Sequence, residues 1–328
     1  MRWWWLVPVA LVLAFAVAFG AMMLGDADGT PSQELSGQKY LIGMSQANLV
    51  EPWRVTMNLE FAAAAEQHDK LRVIYTDAAQ NTQQQIADVE MLMGYGIDLL
   101  VISPNDSEAL RPIIAKVHQS IPVIVLDRAV RGEDYTLFIG PNNDMIGYMA
   151  GCRVVEMLGG RPGRVLELLG TQGSPPVAQR SAGFARALRE HPEILLEKQL
   201  VANWQQDEAE DRFKEYLVSV QAPAEVVFAQ NDAMAYGAWI AASALRVEGV
   251  RFVGVDGLRG AGGGVELVEQ GIMEATYYCP TGGDQAVEYI LRILAGDMPK
   301  DRHLILDPEE ILPEAGEKKR EWEDRTGT

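Results

Sequence analysis

Cysteine and histidine are scarce in this chain, and basic residues are outnumbered. Only Cys152 and Cys279 are cysteines among 328 residues. A disulfide framework is therefore excluded, and a single bond between the two is the most that the sequence allows. The histidines, His68, His118, His191 and His303, show no ligand spacing with one another or with the cysteines, so no metal site is expected. Acidic residues number 46 against 28 basic, a formal charge of −18. Without a basic excess there is no face to displace counterions from phosphates, which excludes a nucleic-acid partner. Nucleophilic catalysis lacks its signs too: there is no G-x-S-x-G elbow and no histidine placed to serve one. The cluster Gly260, Gly262, Gly263 and Gly264 lacks the Lys-Ser/Thr ending of a phosphate-binding loop and reads as a mobile turn that opens a helix. No enzymatic activity and no cofactor are expected.

Charge is also missing from Trp3 to Leu24, an apolar run preceded by Arg2. As a helix rising about 1.5 Å per residue it would span roughly 33 Å, enough for a bilayer core. A membrane anchor and a cleaved secretory signal both fit, since Ala18-Phe19-Gly20 and Gly25-Asp26-Ala27 offer small residues at cleavage-like spacing. With Arg2 on the cytoplasmic side, the remainder faces outward either way, in the periplasm or cell envelope. Asp26 to Lys39, with its Gly, Ser, Pro and Thr, reads as a tether.

From Tyr40 the pattern alternates strand and helix. YLIGMS, LRVIYT, IDLLVIS, PVIVLD and YTLFIG read as strands of a first block. RVLELLG, LLEKQLVANW, EVVFAQN and RFVGVD follow in a second, and EATYYC and HLILD come last. Short runs of Val, Ile, Leu and Phe bounded by turn formers are the pattern of fully buried parallel strands. Right-handed crossovers then give α/β architecture: two doubly wound parallel sheets with helices on both faces. Residues 313–328 read as a solvated tail.

Several buried runs end abruptly in polar groups. PVIVLD is followed by Arg128, EVVFAQ by Asn231 and Asp232, and FVGV by Asp256. In open α/β sheets ligands bind beyond the carboxyl ends of the strands, where these side chains fall. Carboxylate acceptors and a guanidinium fork make charge-assisted hydrogen bonds to hydroxyls. A structural ion pair would use Asp127 and Arg128 equally well, and either Asn231 or Asp232 can serve as a helix N-cap. Trp53-Arg54 opens the first helix and Trp204 follows a strand; an indole face can cover the C–H side of a sugar ring or simply pack into a core. Arg180 falls in the first turn of its helix, against the dipole, so a carboxylate or a ligand is expected beside it.

With these residues in place, the chain resembles the periplasmic sugar-binding proteins of ABC transporters, in the ribose, galactose and galactofuranose group that shares its fold with LacI-type regulators. The likeness runs from Tyr40 to Pro308. It is carried by Pro52-Trp53-Arg54, Ile97–Pro104, Pro122–Arg128, Gly170–Phe184, Ala229–Asp232 and Val253–Gly257. The resemblance implies a type I periplasmic binding protein fold: residues 39–140 plus 280–306 as one lobe, 141–279 plus 307–312 as the other, with chain crossings near Gly140, Cys279 and Leu306. It implies sugar contacts at Trp53, Arg54, Asp127, Arg128, Arg180, Trp204, Asn231 and Asp256. Glu51 stands where the ribose branch has an amide, and Cys279 near where it has glutamine; the Trp-Arg pair is closer to the galactofuranose branch. The implied function is hinged closure on a pentose or hexose, furanose forms included, followed by delivery to an ABC permease. The alternative is presentation to a sensor kinase or chemoreceptor. A monomer is expected, and Asp127→Ala is expected to abolish binding while sparing the fold.

Overall fold

The computed structural model describes residues 39–313. The apolar run Trp3–Leu24, read above as anchor or signal, and the tail beyond residue 313 lie outside the described residues. Among the described residues, no helix is long and apolar enough to cross a membrane.

Six strands form the first sheet: β1 (Tyr40–Gln46), β2 (Leu71–Asp77), β3 (Leu99–Ile102), β4 (Val123–Leu126), β5 (Leu137–Pro141) and β11 (His303–Leu306). Their order is β11-β5-β4-β3-β1-β2 and every pairing is parallel, with Ile42 opposite Leu99 and Leu100 opposite Val123. Every residue of β3 and β4 is buried, which is why these segments read as continuous apolar runs and not as alternating ones. The order reverses at β1, and this switch opens a crevice at the carboxyl ends of β1 and β3. Helices α1 (Pro52–Glu66), α2 (Thr82–Gly94) and α3 (Ser107–His118) make the crossovers. Pro52 opens α1 at a position where its missing N–H costs nothing, and Asn81 and Asp106 cap α2 and α3 by accepting from backbone amides.

The second sheet repeats the winding, with parallel strands in the order β7-β6-β8-β9: β6 (Gly163–Leu169), β7 (Ile194–Val201), β8 (Val226–Ala229) and β9 (Arg251–Val253). Its helices are α4 (Asn143–Leu158), α5 (Pro175–Leu188), α6 (Gln206–Ser219), α7 (Asp232–Ala244) and the short α8 (Gly264–Glu269), which follows the glycine-rich turn as expected. Strand β10 (Thr276–Tyr278) bridges to the β9 side through Val253–Ala275 and Asp256–Tyr278. A strand that the sequence reading did not foresee, β12 (Glu309–Ile311), pairs antiparallel with β10. Glu-Glu-Ile is too short and too acidic to announce itself; the register Tyr278–Glu309 and an Arg153–Glu310 ion pair of 2.8 Å hold it.

After β5 the chain passes from the first sheet to the second, after β10 it returns to β11 of the first, and after β11 it runs to β12 beside β10. After β10 it leads into α9 (Gly283–Leu294), which packs on α1 of the first sheet. Both cysteines are free, with Cys279 buried in this second crossing.

Candidate functional site

Glu51, Trp53, Arg54, Asp127, Arg128, Arg180, Trp204, Asn231 and Asp256 line one cavity, together with Pro176; its empty space is about 400 Å3, part of it open to solvent. All nine were singled out in the sequence; Pro176, which carried no polar signal, was not. Each comes from the carboxyl end of a strand or the start of the helix that follows. Glu51, Trp53 and Arg54 lie at the β1–α1 turn, and Asp127 and Arg128 follow β4. Arg180 is on α5, Trp204 follows β7, Asn231 stands between β8 and α7, and Asp256 follows β9. Two sheets therefore face each other across the cavity with their carboxyl ends, a place that parallel winding supplies.

Three of these residues hold left-handed backbone that disfavours a side chain: Asp127 at φ 69, Trp204 at φ 68 and Asp256 at φ 119. Such conformations cost of order 1–3 kcal/mol each and persist where the surroundings enforce them, which marks functional sites. Beneath Trp204, Gly170 leaves room for the indole, since a Cβ there would lie 2.0 Å from the ring.

On the first-sheet side Arg54 is the centre. Its Nη2 donates to Asp127 Oδ2 at 2.8 Å, its Nη1 to Ser103 Oγ at 2.8 Å, and its Nε lies 3.2 Å from Glu51 Oε2. That last approach lacks hydrogen-bond geometry, so Glu51 Oε2 is buried without a donor, while Oε1 accepts from Asn48 Nδ2 at 3.3 Å. Arg128 donates to the Asn105 carbonyl at 2.8 Å, yet its buried Nε has no acceptor; Asp127 Oδ2 is 3.9 Å away. Burial, and then the neighbouring Arg54, draw the Arg128 guanidinium down to about 10, against the pull of Asp127 and Glu51.

The structure revises two readings here. Asp127 is no detached strand-end group: it is a buried partner of a buried cation, so removing it is expected to disturb the fold as well as binding. Arg180 sits in the second turn of α5, because the helix begins at Pro175, and among the described residues its direct partners are not carboxylates. Its Nε donates to Asn143 Oδ1 at 2.8 Å, its Nη1 to the Gln230 carbonyl and its Nη2 to Cys279 Sγ at 3.3 Å. The Arg180 guanidinium also stands 5.6 Å from the Trp204 ring centroid.

Asn231 proves to be the N-cap as well as a cavity residue: Oδ1 accepts from Met234 N at 2.9 Å and Nδ2 donates to the Trp204 carbonyl at 3.0 Å. Asp232 turns away, accepting from Gly257 N at 2.8 Å and Thr276 Oγ1 at 2.6 Å. No donor among the described residues reaches the Asp256 carboxylate. Burial, and next the Asp232 carboxyl, push Asp256 well above the ordinary carboxylate range. Burial raises Asp232 to about 7 despite its two hydrogen bonds. A carboxyl whose folded value is raised binds its proton more tightly folded than unfolded. Its contribution to stability is complete below 3.8 and drains away as the pH rises through about 7. Asp232→Asn should therefore flatten the fall in melting temperature over that window, read by thermal scans across pH. An unchanged slope would assign the pH dependence to other groups.

Sequence reading missed the groups that hold the lining in place: Ser103, Asn143, Gln230 and the Cys279 thiol. Ser103 and Gln230 carry the same signal as Asp127, a polar residue directly after a buried strand. Behind Arg180, Gln230 Nε2 donates to Glu167 Oε1 at 2.8 Å, and Glu167 also accepts from Ser181 Oγ at 2.8 Å and Gln199 Nε2 at 2.7 Å. Trp53 Nε1 donates to the Cys279 carbonyl at 2.7 Å, tying α1 to the second crossing. Trp204 Nε1 is buried without an acceptor.

Comparison with known proteins adds to this geometry. Residues 42–298 match the periplasmic binding protein domain. The chain is 30% identical to the ribose import binding protein of Salmonella typhimurium over 79% of this chain and 86% of that one. It is 27% identical to the xylitol-binding protein of Mycolicibacterium smegmatis over 58% of this chain, an alignment that spans 54% of that relative's length. Among solved structures, the fructose-binding periplasmic domain of a hybrid two-component system superposes with a TM-score of 0.80 at 31% identity, covering 88% of this chain and 95% of that one.

Proposed function

We propose that this chain, which belongs to the periplasmic binding protein family, is the sugar-binding component of an ABC importer and closes its two sheet-centred lobes on the ligand. One observation carries the reading. The nine polar and aromatic residues named above, drawn from both sheets, line a single cavity in which Asp256 and Glu51 Oε2 lack donors while Arg128 Nε and Trp204 Nε1 lack acceptors. Unpaired buried donors and acceptors in one small space suit hydroxyl groups, which do both. Trp53 and Trp204 supply apolar faces for ring C–H groups. Both Arg54 Nη atoms and all three Arg180 guanidinium nitrogens donate to protein atoms, and Arg54 Nε stands beside the Glu51 carboxylate, so neutral polyols are favoured over anions.

Asp127 and Arg128 hold the ligand from the first lobe, residues 39–140 plus 280–306. Arg180, Trp204, Asn231 and Asp256 hold it from the second, residues 141–279 plus 307–312. The three crossings act as the hinge. The ligand favours closure only to the extent that it binds the closed form better than the open one. The relatives named above are binding proteins, and binding without chemical change is the reading adopted for this chain as well. Family membership implies periplasmic export; residues 3–24 as its signal or anchor, and a monomeric state, are further parts of the proposal.

The test is a thermal-shift screen of the soluble portion with pentoses, hexoses and polyols. A ligand specific for the folded state adds RT ln(1 + [L]/Kd), about 2.7 kcal/mol at a hundredfold excess over Kd. A rise with one or a few sugars is the expected outcome; a flat response to all of them would remove the sugar reading. A second reading, presentation of the sugar-bound form to a sensor kinase, is favoured by the likeness to the two-component fructose-binding domain. Neighbouring genes for a permease or a kinase separate the two.

A further inference from the structure

Outside the cavity lies a second, larger space: an open groove of about 1480 Å3 walled by the loops at the same strand ends. Glu51 and Arg128 line both spaces, so cavity and groove meet at this pair. One wall comes from the first sheet, with Gln80, Thr82 and Asn105; the other comes from the second, with Thr171, Gln172 and Gln179. The first wall is built firmly. Asn105 Nδ2 donates to the Gln80 carbonyl at 3.0 Å and to Thr82 Oγ1 at 2.9 Å, and Gln80 is held at φ 64. Left-handed backbone at a non-glycine residue costs energy that the surroundings must supply, as it does inside the cavity.

Most charges around the groove are engaged; Glu51 Oε2 and Arg128 Nε, at the junction with the cavity, are the ones without a hydrogen-bond partner among the described residues. Asp106 caps α3, Arg131 pairs with Glu108 at 3.1 Å, and Arg128 donates to the Asn105 carbonyl. Along the two walls beyond that junction the uncommitted groups are neutral: the side chains of Gln80, Thr171, Gln172 and Gln179 make no hydrogen bond among the described residues. Amides and hydroxyls on two facing walls are matched to a hydroxyl-rich, uncharged group.

We propose that this groove is an extension subsite: a sugar seated in the cavity can carry a second neutral, hydroxyl-rich unit, such as a glycosyl or polyol arm, past Glu51 and Arg128 into it. The inference rests on the sugar reading above. It is tested by titration calorimetry on the same protein with paired probes, each free sugar beside a disaccharide that contains it: D-fructose and sucrose, D-galactose and lactose, D-xylose and xylobiose. At least one free sugar should bind, with its glycoside within about tenfold in affinity. Thr171→Trp, at an exposed position on the groove wall, should weaken the glycoside by about tenfold or more while leaving the free sugar within about twofold. A free sugar that binds while its glycosides do not, or a Thr171→Trp loss shared equally by both, would overturn the subsite and leave the sugar reading intact. Silence from every free sugar and every glycoside would sink the sugar reading, and the subsite with it.

Discussion

Asp127→Ala should abolish the thermal response to sugar and, with no ligand present, cost roughly 3–5 kcal/mol of stability, the range for breaking a buried ion pair from one side. The reason is local. Arg54 and Asp127 are 4% and 7% exposed at the side chain and meet at 2.8 Å. Removing the carboxylate leaves Arg54 with Ser103 and an ill-aligned Glu51, and leaves Arg128 without its nearest acid. Alanine is also poorly suited to φ 69, a conformation that Asp and Asn tolerate better than most residues. Asp127→Asn separates the contributions: it retains the backbone preference and one acceptor but removes the charge. It should keep more of the stability than alanine while still losing most of the sugar response. Urea midpoints for the two variants, each with and without the best sugar of the screen, read out both quantities. An alanine variant as stable as the parent would mean that the Arg54 charge is compensated elsewhere, and the account of the first-sheet side would fail.

The second large effect is expected where no charge is involved. Gly147, inside α4, faces α5 so closely that a Cβ would lie 1.9 Å from the Arg180 carbonyl oxygen. Backbone offers no flexible end that can move aside, so Gly147→Ala must push the two helices apart. Overpacking of this kind typically costs about 1–3 kcal/mol, occasionally more. Here the shift also separates Asn143, at the start of α4, from Arg180 on α5, whose hydrogen bond of 2.8 Å fixes the guanidinium in the cavity. Sugar affinity should therefore fall further than the loss of stability alone would give. Gly94→Ala at the end of α2 is the control, since a Cβ there meets nothing within 4 Å; it should be neutral or slightly stabilising. Equal urea midpoints for the two alanine variants would show that the α4–α5 approach tolerates a methyl group.

The sequence reading was most successful where a single local signal sufficed. Buried strands announced themselves as short apolar runs because both faces of a parallel sheet are covered, and the first helix was placed at Pro52-Trp53-Arg54, where α1 begins. The rule that a polar residue directly after such a run faces the crevice located Asp127, Arg128, Asn231 and Asp256. Ser103 and Gln230, directly after β3 and β8, obey it as well. Between Asn231 and Asp232 the sequence points to Asn231 for the crevice but leaves open which one caps the helix; Asn231 does both, and the shell of Gly257 and Thr276 draws the Asp232 carboxylate inward.

By itself, then, the amino-acid order determined the winding of two parallel sheets, the loops that carry the chemistry and the acid, guanidinium and indole groups at their ends, since each follows from periodicity and turn residues within a few positions. Only the tertiary structure decided which groups spend their hydrogen-bonding capacity on one another. Arg54 meets Asp127 across 73 positions of sequence and Arg180 meets Cys279 across 99. The β10–β12 pairing, the α4–α5 approach and the meeting of cavity and groove at Glu51 and Arg128 are likewise distances between segments far apart in the chain, and a periodic pattern holds no information about such distances.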